Sequence, residues 1–119
     1  MNQTELQNRT KHFAIRIVNL VKTLQTNPIS KILSNQILRS GTSVAANYRA
    51  ACRCRSAKDF IAKLAIVIEE ADETMFWLEL LQESNIIKPE LLENLHNEAN
   101  QITAIMVASR NSAIKNLRS

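Results

Sequence analysis

A chain of 119 residues, with 15 Lys and Arg against 11 Asp and Glu and a net charge of +4, is long enough for one domain and too short for two. Its single glycine and two prolines leave the turns of a β-sheet fold almost without residues to make them, so the composition selects an all-α class. No apolar run approaches the roughly 20 residues of a membrane span, and the polar start MNQTELQNRTKH lacks the apolar stretch of a secretory signal, so a cytoplasmic protein without membrane contact is expected.

In chain order, Leu6, Phe13, Ile17, Leu20, Val21 and Leu24 recur at helical spacing and predict a first helix over about 4–25. Thr26-Asn27-Pro28 breaks it. Asn27 is a good N-cap and Pro28 suits the first helical position, so a second helix is predicted over 28–54, with Ile29, Ile32, Leu33, Ile37 and Val44 on its inner face. Ser56 followed by Asp59 reads as a capping box with the shorter acid. It opens a third helix over 57–84 that carries Phe60, Ile61, Leu64, Ile68, Ala71, Met75, Leu78 and Leu81. Pro89, with Glu90 in the first turn, opens a fourth over 89–117, with Leu92, Leu95, Ile102, Ile105, Met106 and Leu117. Four long helices with short connections bury their stripes most simply as an antiparallel up-down-up-down four-helix bundle, a single domain over 1–119.

The charge is unevenly sorted. Residues 1–63 hold eleven of the cations and only two acids, Glu5 and Asp59, whereas residues 64–119 hold four cations and nine acids. Up-down topology brings the start of helix 1, the turn between helices 2 and 3 and the end of helix 4 to one pole. Arg9, Lys11, Arg16, Arg49, Arg53, Arg55, Lys58, Lys63, Arg110, Lys115 and Arg118 are expected to converge there, with few acids to pair with them. Unpaired Lys and Arg bind phosphate backbones through Coulomb attraction and counterion release, without base-specific contacts. All of these except Arg16 are the candidate nucleic-acid-binding residues. The opposite end collects Glu79, Glu83, Glu90 and Glu93, diluted by Lys22, Lys31 and Lys88. Aromatic residues are scarce near the basic pole, where Tyr48 is the candidate, so backbone contact to structured RNA or duplex is expected rather than base stacking.

Helix 2 carries a second feature: Ser40, Ser43 and Asn47 make one of its stripes small and polar, which lets a neighbouring helix approach closely. Pairing of helices 2 and 3 about the turn near residue 55 sets Arg39 beside Asp72, within reach of Glu69 or Glu73. Arg39, Ser40, Ser43, Asn47, Glu69 and Glu73 therefore form a candidate structural polar layer, with Arg39 in a partly buried pair and Glu70 and Asp72 on a solvated face. No histidine or lysine base lies in that layer, so a catalytic role is not expected. Cys52 and Cys54, two apart on a helix, point about 200° away from each other and read as free thiols. His12 and His96 have no ligand spacing to them, so neither a metal nor another cofactor is expected.

The run Gln36-Ile37-Leu38-Arg39-Ser40, with Ser43 and Asn47, then Ser56-Ala57-Lys58-Asp59-Phe60-Ile61-Ala62-Lys63-Leu64, Glu69-Glu70-Ala71-Asp72-Glu73-Thr74 and Trp77-Leu78, resembles the four-helix-bundle family of proteins encoded in 23S rRNA intervening sequences. That family includes the accessory variability protein of diversity-generating retroelements. The resemblance covers about Lys11 to Leu117 and implies a ring-shaped homopentamer. For the retroelement members it implies nucleic-acid binding through a basic surface and association with a reverse transcriptase. Members usually carry Ala-Glu-Gly after the asparagine; here the stretch is Tyr48-Arg49-Ala50-Ala51-Cys52, without glycine, so helix 2 is expected to run on further.

Ile66, Val67, Phe76, Leu80 and Val107 sit off the main core stripes, and packing between subunits would cover them. The expected function is thus a non-enzymatic oligomeric accessory protein that binds structured RNA or DNA through a basic bundle end. The alternative is a protein–protein interaction scaffold with no nucleic-acid ligand.

Overall fold

The computed structural model describes residues 1–118. Among them the elements are four α-helices, α1 (Gln3–Thr23), α2 (Pro28–Cys52), α3 (Ala57–Glu83) and α4 (Pro89–Arg118), arranged as an antiparallel bundle of 51 × 21 × 20 Å. Helix packing follows chain order, α1 on α2, α2 on α3 and α3 on α4, and α4 closes more loosely against α1.

Each start is set by local chemistry. Asn2 caps α1: its Oδ1 accepts from the Glu5 amide at 2.8 Å, and its side-chain Nδ2 donates to Glu5 Oε1 at 2.8 Å. Asn27 Oδ1 accepts from Ser30 N at 3.0 Å, with Pro28 in the first position of α2, and Ser56 Oγ accepts from Asp59 N at 3.1 Å to open α3. The end of α3 is a Schellman turn, in which Ile86 N donates to Leu81 O and Asn85 N to Gln82 O, each at 3.0 Å. Asn85 takes the left-handed conformation this turn requires, at φ 59°.

Helix α2 ends at Cys52, two residues earlier than the sequence predicts. The Arg53 N–H caps it onto Ala50 O and Ala51 O at φ −99°, so the stop needs neither a glycine nor a left-handed residue. Cys54 consequently lies outside the helix, and the geometric argument that kept the cysteines apart on one helix does not apply to it. Both are free and half-buried, and Cys54 Sγ donates to Ala50 O at 3.4 Å.

The core runs the length of the bundle, from Leu6, Phe13 and Ile17 through Ile37, Val44 and Tyr48, Leu64, Val67 and Leu78, to Leu92, Ile102 and Met106. Three assignments are corrected. Ile29 and Ile32 are 66 % and 63 % exposed, because the inward stripe of α2 runs Ser30, Leu33, Ile37, Val44, Tyr48, and its first turn projects past the end of α1. Leu117 is exposed near the free end of α4. Val67, expected at the surface, is fully buried, since it stands with Leu64, Ala71, Thr74, Leu78 and Leu81 at alternating spacings of three and four, the stripe that α3 turns into the core. No helix among the described residues is long and apolar enough to cross a membrane.

Candidate nucleic-acid interface

Antiparallel packing gathers the start of α1, the end of α2, the start of α3 and the end of α4 at one pole. The sequence-predicted cations there fall into two groups. Three are already engaged within the bundle. Arg9 Nε and one terminal nitrogen donate to the two Glu98 carboxylate oxygens at 2.8 and 2.7 Å, and the same terminal nitrogen donates to Gln101 Oε1 at 2.7 Å. Arg16 donates to Asn94 Oδ1 at 3.0 Å, and Arg110 Nε donates to the Ile61 carbonyl at 3.3 Å. Arg9 is therefore a clamp across the loose α1–α4 seam and not a free cation. The register of first against last helix, which sequence cannot supply, placed Glu98 within its reach.

The second group stays unneutralised. Lys11, Arg49, Arg53, Arg55, Lys58, Lys115 and Arg118 are exposed and Lys63 is half-buried, and none forms an ion pair among the described residues. The acids expected nearby form no ion pair with these cations: Glu5 accepts from Asn2 Nδ2, and Asp59 stands in the first turn of α3. Cations held close together without carboxylates raise the local positive potential, which falls off over about 8 Å at physiological salt.

Three of them meet in a concavity. Lys11 on α1, Arg49 in the last turn of α2 and Arg53 at its C-cap line a groove of about 500 Å³ together with Gln7, Asn8, Thr42, Ala45 and Ala46. No carboxylate and no aromatic ring lines it. Tyr48, the stacking candidate, is 2 % exposed, and burial, helped by a hydrogen bond with Cys52, pushes its phenol ionisation upward. It is a core residue and unable to stack on a base.

The polar layer forms with one exchange of partner. Arg39 donates from one terminal nitrogen to Glu73 and from the other to Glu70 Oε2 at 3.2 Å, and Glu73 also accepts from Trp77 Nε1 at 3.2 Å. Glu70, expected to be solvated, takes the place assigned to Glu69. Positions 70 and 73 share the side of α3 that faces α2, whereas Glu69 lies on the outer side with Asp72 and Phe76. The Arg39 side chain is 50 % exposed, so the pair is a surface clamp rather than a buried one. Its hydrogen bond still holds the Glu73 carboxyl below the usual carboxylate range, against the opposing effect of partial burial.

Beneath this clamp the hydroxyls of buried Ser40 and Thr74 lie 2.9 Å apart, and Thr74 donates to Glu70 O at 2.7 Å. Asn47 donates to Ser43 O at 2.9 Å. Ser40 Oγ also donates to Ile37 O at 3.3 Å, so the hydroxyls of Ser40 and Thr74 and the Asn47 amide are each tied to a backbone carbonyl of their own helix. His96 sits 3.0 Å from Glu79, and among the described residues no three of His, Cys, Asp or Glu cluster as metal ligands would.

Comparison with known proteins agrees with this architecture. The model of the family described as 23S rRNA-intervening sequence protein matches residues 2–108. A crystal structure of a protein with unknown function from the S23 ribosomal protein family of Bacteroides thetaiotaomicron VPI-5482 superposes with a TM-score of 0.87 at 40 % sequence identity, over 93 % of this chain and 99 % of that one. No curated protein matches the chain. With a family match over nearly its whole length and a solved relative that shares both sequence and fold, this chain belongs to the 23S rRNA-intervening sequence protein family.

Proposed function

We propose that this chain is a non-enzymatic accessory protein that assembles as a homo-oligomer, a pentamer, and binds structured RNA or DNA through its basic end. The observation that carries the reading is the set of exposed cations at one pole, Lys11, Arg49, Arg53, Arg55, Lys58, Lys115 and Arg118, without carboxylate partners among the described residues. Such a field attracts a polyanion by counterion release, and repetition in an oligomer multiplies weak contacts into avidity. With Tyr48 buried, the contact is to phosphate and shape rather than to stacked bases. Two free thiols fit a reducing, cytoplasmic compartment.

Assembly is supported by Ile66, Phe76 and Val107, exposed large apolar residues on the outer faces of α3 and α4. Covering the part of each side chain that is still exposed gains on the order of 1 kcal/mol, before the cost of association. Leu80, also expected among the wet residues, is already half-buried in one subunit.

The same apolar residues favour a second reading, a scaffold that docks a protein partner such as a reverse transcriptase and has no nucleic-acid ligand. Reversal of Arg49, Arg53 and Arg55 to Glu separates the two. The nucleic-acid reading requires loss of binding to an RNA hairpin and a DNA duplex; binding at wild-type affinity overturns it.

A further inference from the structure

We propose that the groove between α1 and α2 seats the sugar-phosphate backbone of one strand of the bound nucleic acid, so that the ligand runs along the side of the bundle instead of capping its pole. The proposal rests on the nucleic-acid reading above and narrows it to a site. Arg49 lies in the last turn of α2 and Arg53 is the residue that caps it, so the two cations follow one another at the end of the helix and both line the groove. Lys11 approaches from the opposite wall on α1, so a phosphate inside the groove meets cations from two directions.

The rest of the lining suits a backbone. Gln7 and Asn8 supply amides that donate to phosphate oxygens and accept from sugar hydroxyls. Ala45 and Ala46 add only methyl side chains to the lining, so no bulky side chain from these two positions fills the groove. No ring is present to hold a base, which makes the contact indifferent to sequence. The other concavities fit a polyanion less well. The cavity at Cys54, Lys63 and Ile66 includes the Asp59 carboxylate, and the one at the mouth of the α1–α4 seam, between Leu6, Phe60 and Ile105, has no Lys or Arg in its lining.

The test compares two triple variants that remove equal charge from exposed positions: Lys11→Gln/Arg49→Gln/Arg53→Gln in the groove, and Lys58→Gln/Lys115→Gln/Arg118→Gln at the pole. Binding of a labelled RNA hairpin and of a DNA duplex of matched length is followed by fluorescence anisotropy across a salt series, with circular dichroism to confirm that each variant is folded. Each duplex phosphate contact contributes about 0.9 to the slope of log K against log salt, so the groove triple should lower the slope by about 2 to 3 and the pole triple by clearly less. A third variant, Ala46→Glu, keeps every cation but adds a carboxylate to the exposed lining of the groove, and it should weaken binding as well.

Equal losses from both triples, or a groove triple and Ala46→Glu that bind like wild type while the pole triple fails, overturn the groove and leave nucleic-acid binding standing. Wild-type protein that binds neither probe at low salt overturns the underlying reading and the groove with it.

Discussion

Gly41 of α2 and Ile17 of α1 approach so closely that a Cβ on Gly41 would lie 2.8 Å from Ile17 Cγ1 and 2.9 Å from Cγ2. Ile17 is fully buried, and its branch point sits 3.1 Å from the same position, so it has little freedom to yield. This contact gives the lone glycine its place in the middle of a 25-residue helix, where glycine costs roughly 0.5 to 1 kcal/mol relative to alanine. Gly41→Ala recovers that propensity and meets an overpacking penalty of about 1 to 3 kcal/mol. A net loss of about 1 kcal/mol in urea unfolding is expected; a more stable variant would show that the helices are farther apart.

The seam between α1 and α4 should respond to pH through Glu98. Its carboxyl is held below the ordinary range chiefly by the hydrogen bond from Arg9, with burial working in the other direction. A depressed carboxylate contributes stability that is fully present above the unfolded value of 4.5 and is lost as pH falls through the lower folded value. Glu98→Gln should therefore cost about 1 kcal/mol at neutral pH, and the gap to wild type should close on acidification. Unfolding curves over a pH series check this, and a gap independent of pH contradicts it.

The Arg39 clamp should couple only modestly. With the arginine half exposed, a double-mutant cycle of Arg39→Ala and Glu73→Ala is expected to give a few tenths of a kcal/mol up to about 1. Because Trp77 donates to Glu73, Glu73→Ala should also shift the fluorescence of the single tryptophan. An unchanged emission spectrum would place the indole elsewhere.

Much of this fold is written locally in the chain. Asn27 with Pro28 and Ser56 with Asp59 announce helix starts to the residue, because a cap depends only on the next turn. What local pattern fails to carry is what depends on a neighbour. Ile29 has helical spacing to Ile32 and Leu33, yet Ile29 and Ile32 lie where α1 has already ended. Val67 shows a second limit: it stands on the buried stripe Leu64, Ala71, Thr74, Leu78, Leu81, which polar Thr74 interrupts, while Ile68 and Met75 offer a competing apolar stripe. The candidate site divides the same way: the basic pole follows from topology and charge order, whereas the pairing of Arg9 with Glu98 and the groove among Lys11, Arg49 and Arg53 depend on helix register in space.

Oligomerisation tests the apolar outer face. Phe76 is 54 % exposed, and its ring meets Trp77 edge to face at a centroid distance of 5.0 Å. Ile66→Glu with Phe76→Glu sets charge where subunits are proposed to meet, at little cost to a single bundle since both side chains are already solvent-accessible. The wild type should run as an oligomer in light scattering and the double variant as a monomer. Equal masses for the two would move the interface away from α3.

The proposed function rests on exposed cations meeting phosphate, and the salt dependence of wild-type binding tests it most directly. Titration of the unmodified protein with an RNA hairpin and a DNA duplex across ionic strengths should give affinity that falls linearly in log K against log salt, with a slope of several units. Binding that is absent at low salt, or that survives high salt unchanged, would contradict it.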